Sequence, residues 1–72
     1  MNIGMLWFDN DPKHDLSIKV NLAAEYYQKK YGKRPDLCCV NPSMVDSSKV
    51  AIEVRPLKTV LPNHLWIGVN QP

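Results

Sequence analysis

The sequence predicts a small α/β domain of the α+β kind, with one four-stranded mixed sheet and a single helix packed on one sheet face. Three observations lead to this fold. Four short apolar segments carry strand patterns, and one longer segment between the first two carries apolar residues at helical spacing. The 72 residues, 44% of them hydrophobic and 22% charged, suit one globular domain spanning residues 1–72. The predicted order is therefore strand, helix, strand, strand, strand.

The first predicted strand is Ile3–Phe8, and it is apolar on both faces. Its alternating side chains form two sets, which are Ile3, Met5 and Trp7 on one side and Gly4, Leu6 and Phe8 on the other. Strands that are apolar on both sides usually lie inside a sheet, where both faces are covered. We therefore expect this strand to be central.

The helix is predicted over residues 12–31. Asp11 is a suitable N-cap, Pro12 is tolerated at the first helical position, and Asp15 adds negative charge to the first turn. Gly32 is a natural stop after two lysines in the last turn. The main apolar stripe follows helical spacing and consists of Leu16, Val20, Ala23, Ala24, Tyr27 and Tyr31.

Three further strands are predicted after the helix. Residues 36–41 contain a continuous apolar run and should form a central strand, parallel to the first through a right-handed crossover. Residues 49–55 alternate between apolar and polar side chains, which indicates one solvated face. A turn at residues 61–64 leads to the last strand, Leu65–Val69. If residues 57–61 extend the strand of residues 49–55 past Pro56, this proline marks a sheet edge or a bulge.

One helix covers one sheet face, so the second face is predicted to lack a cover. Each strand sends one set of its side chains to that face. These are either Trp7 or Phe8 from the first strand, one of the two cysteines from the second, and either Trp66 or the set Leu65, Ile67 and Val69 from the last. A second apolar stripe on the helix, formed by Ile18, Leu22 and Tyr26, also needs a partner, unless the loops at residues 42–49 or 56–62 fold over it. Exposed apolar patches usually mark interaction sites, and symmetric homodimers are the commonest solution. The candidate interface residues are Trp7, Phe8, Ile18, Leu22, Tyr26 and Trp66.

A protein-interaction module that forms a homodimer is therefore the leading hypothesis, with another protein as a further possible partner. The alternative to self-association is a strongly curled sheet that wraps the helix and hides most of these apolar groups.

A nucleic-acid-associated protein is the second hypothesis. The end of the helix and the residues after it form a basic cluster of Lys29, Lys30, Lys33 and Arg34. Such cations contact phosphates, and a nearby tyrosine, Tyr26, would be free to stack on bases. The net charge of +2 is modest for a dedicated nucleic-acid binder.

A minimal metal-dependent enzyme is the third hypothesis. Asp9 and Asp11 follow the first strand, with His14 one turn on, while Asn41 and Ser43 follow the second strand. Oxygens at the carboxyl ends of parallel strands would converge on a hard cation such as Mg²⁺. The alternative interpretation is that Asp11 caps the helix and Asp9 is a solvated turn residue.

Two short patterns resemble known enzyme families. The segment from Met5 to Asp11, an apolar strand followed by Asp-x-Asp, resembles the nucleophile motif of haloacid dehalogenase-type phosphatases, although no Thr follows the second Asp at the expected place. Pro35-Asp36 followed by Glu53-Val54-Arg55 resembles the Pro-Asp…Glu-x-Lys pattern of a large nuclease superfamily, with Arg55 in place of the lysine. In that superfamily the acidic residues bind Mg²⁺.

The remaining signals concern compartment and chemistry. Cys38 and Cys39 are adjacent and lack the Cys-x-x-Cys spacing of zinc or redox sites, so we expect two reduced, buried thiols. No basic region precedes the apolar N-terminal segment, and no apolar run approaches the length of a membrane span, so we expect a cytoplasmic protein. No nucleophile–base motif and no phosphate-binding loop is present in the sequence, so no catalytic residue and no cofactor is predicted.

Overall fold

The computed structural model describes residues 3–46 and 49–69. It contains one helix and a four-stranded mixed sheet, which confirms the predicted fold class. The elements in chain order are β1 (Ile3–Phe8), α1 (Leu16–Tyr31), β2 (Leu37–Val40), a 3₁₀ turn (Pro42–Met44), β3 (Glu53–Pro56) and β4 (His64–Val69).

The strands lie in the order β1-β4-β2-β3. β4 is antiparallel to both of its neighbours, and β2 is parallel to β3. β1 and β2 therefore run in the same direction, as predicted, but the last strand of the chain is inserted between them. The prediction of a central position is correct for β2 and wrong for β1, which forms a sheet edge.

The helix begins later than the sequence suggested. Its N-cap is Asp15, whose side chain accepts a hydrogen bond from the backbone N–H of Ile18 at 2.9 Å. Asp11, the predicted cap, instead accepts from the backbone N–H of Lys13 at 2.9 Å and so closes a turn before the helix. The carboxylate of Asp46 accepts from the first helical N–H, that of Leu16, at 3.1 Å. Two carboxylates thus accept hydrogen bonds from backbone N–H groups in the first turn of α1.

The buried face of α1 packs chiefly on β4. Most of the predicted apolar stripe is buried, but Tyr31 is 45% exposed and rests on the ring of Tyr27, with the centroids 4.7 Å apart. The helix ends at Gly32, as predicted, in the left-handed conformation with φ 68°. The buried residues of the helix are Leu16, Lys19, Val20, Ala23 and Tyr27.

The strand β3 is shorter than predicted and ends at Pro56, so residues 57–61 do not extend it. The alternation of its segment is confirmed. Val50, Ile52 and Val54 pack against the core, while the residues between them are exposed. The chain turns into β4 through a hydrogen bond from the backbone N–H of His64 to the carbonyl of Leu61 at 3.0 Å. Asn63 has φ 65° in that turn, where asparagine is tolerated.

The second sheet face is partly covered, contrary to expectation. The chain after β3 folds onto it, and Val60, only 8% exposed, packs with Leu37 and Cys39. The segment at residues 57–61 therefore lies on this face rather than over the helix. We call the side of the sheet that carries α1 the helix face and the other side the open face.

Candidate interaction surface

The open face carries an apolar groove of about 560 Å³ between the sheet and residues 57–61. Three strongly exposed side chains lie at or near it, with Leu6 and Leu61 each 64% exposed and Phe8 55% exposed. The groove is lined by Leu6, Cys39, Leu57, Thr59, Val60, Leu61, His64 and Trp66. Most of these groups are hydrophobic, so the surface suits an apolar contact.

The indole of Trp66 spans from β4 to the edge strand. Trp66 pairs with Leu6 in the sheet register, and a Cβ placed on Gly4 would lie 2.4 Å from the indole ring. The ring therefore occupies the space that a side chain at position 4 would need. The glycine lets an aromatic ring cover the backbone of β1 and extends the apolar surface to the sheet edge.

The rim of the groove beside Phe8 is formed by His64. The two rings are 4.8 Å apart between centroids, and His64 Nδ1 lies 3.1 Å from the carbonyl oxygen of Pro62. A carbonyl oxygen only accepts hydrogen bonds, so Nδ1 is the protonated nitrogen in this contact. His64 is thus held in place by a loop and an aromatic ring.

The two cysteines lie on opposite faces of β2, as their adjacency requires. Burial raises the pKa of Cys38, on the helix face, to about 12. Burial also raises the pKa of Cys39, on the open face, although the nearby charge of Arg55 acts in the opposite direction. Both thiols are free and buried. They add neutral groups to the sheet and no reactive thiolate.

A second exposed apolar area lies on the helix. Ile18, Leu22 and Tyr26 are 41%, 39% and 49% exposed and follow one another at intervals of one turn. We call these three residues the helix stripe. The ring of Tyr26 contacts that of Trp7 on β1, with the centroids 5.2 Å apart. The stripe therefore reaches the β1 edge of the sheet.

The six predicted interface residues thus fall on two sides of β1. Phe8 and Trp66 lie on the open face, together with Leu6, which the sequence reasoning did not select. Trp7 lies on the helix face beside the helix stripe. Its indole Nε1 is buried, and within residues 3–46 and 49–69 it has no hydrogen-bond partner.

The basic cluster lies on the surface at the end of α1. Lys29, Lys30, Lys33 and Arg34 are all exposed. The aromatic rings around it are already engaged, because the ammonium of Lys30 lies 5.4 Å from the ring centre of Tyr31, and Tyr26 contacts Trp7. The exposed cations can reach phosphates, but the three tyrosines of α1 that the structure describes, Tyr26, Tyr27 and Tyr31, all make ring contacts already.

The carboxylates of the predicted metal site are held by the chain itself. Asp9 Oδ1 accepts from the backbone N–H of Asp11 at 2.9 Å, and Asp9 Oδ2 lies 2.8 Å from Nδ1 of His14. His14 Nε2 is 3.5 Å from the carboxylate of Asp11. Burial raises the pKa of Asp9, but the hydrogen bonds from His14 and Asp11 and the charges of His14 and Lys19 outweigh it, so this pKa lies below its ordinary value.

The other proposed oxygen ligands lie elsewhere. β4 separates the carboxyl ends of β1 and β2, and the Asn41 side chain is engaged with Ser43 and with the carbonyl of Val60. Among the described residues, no group of three or more His, Cys, Asp or Glu side chains is arranged to hold a metal ion. Asp9, Asp11 and His14 form instead a hydrogen-bonded turn that leads into α1.

The nuclease-like pattern is divided between the two faces of the sheet. Glu53 and Arg55 form an ion pair and stand opposite Leu37 and Cys39 in the register, which places them on the open face. Asp36 lies just before β2, and its charge acts on Tyr27, which is buried between α1 and the sheet, so it belongs to the helix face. The structure therefore does not bring the three residues of the pattern together.

Sequence reasoning missed the buried cation Lys19, which is only 5% exposed. Its Nζ donates to the backbone carbonyl of Asp9 at 2.9 Å and contacts Asn63 Oδ1 at 3.4 Å. Lys19 thereby joins α1 to the residue after β1 and to the residue before β4. Its position between Leu16 and Ala23 on the buried face is the signal that marks it.

Comparisons of the chain with protein-family models, with curated proteins and with solved structures found no match. Within the described ranges, no helix has both the length and the apolar character needed to cross a membrane.

Proposed function

We propose that this protein is a non-enzymatic protein-interaction module that acts as a homodimer. The observation that carries the proposal is the distribution of exposed apolar side chains. Five of the nine large hydrophobic side chains exposed in the described residues belong to β1 or to the helix stripe beside it. These five residues are Leu6, Phe8, Ile18, Leu22 and Tyr26.

The size of the chain supports the same proposal. A short chain buries a smaller share of its surface than a long one, so a partner adds a large part of its stability. A standard interface takes about 800 Å² from each partner, which is about a sixth of the 4829 Å² surface of one chain. An interface of that size around β1 would remove exposed hydrophobic side chains of both β1 and the helix stripe from water.

The oligomeric state tests this proposal directly. We expect sedimentation velocity at micromolar concentration to give twice the 8.2 kDa mass of one chain. Phe8→Lys places a charge in the apolar area and should shift the protein towards monomer. Val45→Lys is the matched control, because Val45 is 51% exposed but lies outside β1 and the helix stripe. A wild-type protein that stays monomeric at high micromolar concentration would contradict the proposal.

We also propose a cytoplasmic location, which the two free thiols support. A reducing compartment keeps cysteines in this state. Fractionation of cells that contain the protein would test it, and the protein should be recovered in the cytoplasmic fraction. Oxidised cysteines in freshly isolated protein would point to another compartment.

A second candidate function is contact with nucleic acid through the basic cluster. Its support is the exposure of all four cations at one end of the helix. The double variant Lys30→Glu/Arg34→Glu should then weaken binding to single-stranded DNA or RNA, and wild-type binding should fall steeply with salt. Absence of wild-type binding at low salt would exclude this function.

A further inference from the structure

We infer that the second copy of the chain pairs with the free edge of β1. The two β1 strands would lie antiparallel, and the two four-stranded sheets would form one continuous sheet. This inference rests on the proposed homodimer and specifies how its two copies meet. A two-fold axis would place each β1 against its counterpart, so that the same surface serves both partners.

The free edge of β1 offers a row of backbone groups for such pairing. The backbone N–H of Asp9 donates to the carbonyl of Asn63 at 2.9 Å, which continues the β1–β4 register by one pair. Hydrogen-bonded and non-hydrogen-bonded pairs alternate in an antiparallel ladder. The odd-numbered residues of β1 therefore bond to β4, and the N–H and C=O groups of Gly4, Leu6 and Phe8 point away from the sheet.

The opposite edge of the sheet, formed by β3, is poorly suited to the same role. The N–H groups of Glu53 and Leu57 donate to carbonyls of the β2 segment, so the outward positions are Val54 and Pro56. Proline has no N–H, which leaves a single outward donor in this strand. The ion pair of Glu53 and Arg55 adds charge to the same edge. These are the features by which natural sheets discourage edge-to-edge association.

β1 has none of these protective features. Its sequence contains no charged residue and no proline, and all six residues pair with β4 in an unbroken register without a bulge. An uncharged, regular and apolar edge strand invites pairing with another strand. Edge pairing also explains why a strand that is apolar on both faces lies at the edge of one chain's sheet. In the dimer, β1 has a neighbouring strand on each side and becomes an interior strand.

The side chains beside the edge supply the rest of the contact. A six-residue strand is about 20 Å long, so backbone pairing alone buries less than a standard interface. On the open face, the side chains of Leu6 and Phe8 would pack at the junction beside the same two residues of the second copy. On the helix face, Trp7 and Tyr26 lie at the same edge and lead to the remaining residues of the helix stripe. The pairing thus covers apolar area on both sides of the sheet at once.

Amide hydrogen exchange measured by NMR on the wild-type dimer tests the inference. We expect the N–H groups of Gly4, Leu6 and Phe8 to be protected at high protein concentration and to lose protection on dilution into the monomer. The N–H of Val54 is the matched control, because it points outward from the opposite edge and should exchange rapidly throughout. A dimer in which the three β1 amides exchange as fast as Val54 would overturn edge pairing and leave the homodimer intact. A protein without any dimer would overturn both proposals.

A pair of variants at Leu6 separates backbone pairing from side-chain contact. Leu6→Pro removes the outward N–H in both copies, whereas Leu6→Ala removes the apolar side chain and keeps the N–H. We expect Leu6→Pro to raise the dimer dissociation constant about tenfold or more beyond Leu6→Ala, with the fold of each variant checked by circular dichroism. Equal dissociation constants for two folded variants would contradict edge pairing, and the exchange experiment reaches its result without any substitution.

Discussion

At the scale of single residues, Gly4 is required by its neighbour rather than by its backbone conformation. A Cβ at this position would lie 2.4 Å from the indole of Trp66 and 2.6 Å from the carbonyl oxygen of Ile67. The ring can shift, but the backbone carbonyl belongs to the sheet. We therefore expect Gly4→Ala to lower the free energy of unfolding by about 1–3 kcal/mol, as overpacking does. Urea denaturation gives the value.

Two comparisons would show that space is the cause. Trp66→Leu in the Gly4→Ala background should recover part of the loss, since it removes the nearest atoms. Gly32→Ala tests the other cost, because Gly32 has open space around it but φ 68°. It should lose about 1–2 kcal/mol through left-handed strain alone. Additive effects of Gly4→Ala and Trp66→Leu would contradict the steric explanation.

Asp9 links stability to acid pH. Its hydrogen bonds with His14 and the backbone N–H of Asp11, together with nearby positive charge, hold its pKa below the ordinary value in spite of burial. A pKa that is lower in the folded state contributes stability that is fully present above the unfolded value of about 3.9 and is lost as the pH falls through the folded value. We expect the unfolding free energy to decline below about pH 4.

The variant Asp9→Asn isolates this contribution. It should be less stable than wild type at neutral pH, because the charge-assisted bond to His14 is lost. The difference should shrink as the pH falls below about 4, where the wild-type carboxyl becomes protonated. Thermal unfolding between pH 2 and pH 7 measures both proteins, and a difference that stays constant over that range would rule out the role assigned to Asp9.

At the scale of the elements, the start of α1 depends on Asp15 rather than Asp11. The Asp15 carboxylate accepts from the N–H of Ile18, three residues on, as an N-cap does. Asp15→Ala should therefore cost about 1 kcal/mol of stability, and Asp15→Asn or Asp15→Ser should restore most of it. Asp11→Ala, which breaks only the turn bond to Lys13, should cost less. Equal losses at the two positions would place part of the cap at Asp11.

The strand order shows what local pattern determines and what it does not. Alternation correctly assigned Val50, Ile52 and Val54 to one side, because the side-chain period of a strand is a local property. The same reasoning placed β1 at the centre, since both of its faces are apolar. Its real position depends on where the last strand inserts, and that choice is made by contacts between residues far apart in the chain.

Part of the candidate interaction surface could be predicted from the sequence, because it depends on local side-chain periodicity. Phe8, Trp66 and the helix stripe stand out from periodicity alone, and the structure places them around one edge of the sheet. Trp7 was open to either face until its contact with Tyr26 was known. The partial cover by Val60 could not be read from the sequence, because residues 57–61 carry no regular pattern that predicts where a loop folds.

At the scale of the whole molecule, the fold has two layers, the helix and the sheet, and the open face of the sheet is covered only in part. The main core lies between α1 and the sheet, and among the described residues the open face has a small buried cluster of Leu37, Cys39 and Val60. Trp66 packs against that cluster but remains partly exposed. The strand edge at β1 joins the two exposed apolar areas, so a partner at this edge completes both layers in one contact.

Folding and association should therefore be coupled, and the melting temperature should depend on protein concentration. Dilution releases subunits by mass action, and a tenfold change in concentration corresponds to about 1.4 kcal/mol per dimer. For a dimer of this size that is a shift of about 3–6 °C in the melting temperature, measured by differential scanning calorimetry. Phe8→Lys should melt lower and show no dependence on concentration, while Val45→Lys should follow the wild type. A wild-type melting temperature that is constant over a hundredfold range would mean that the thin core is sufficient for a stable single chain, and the apolar edge at β1 would then need another explanation.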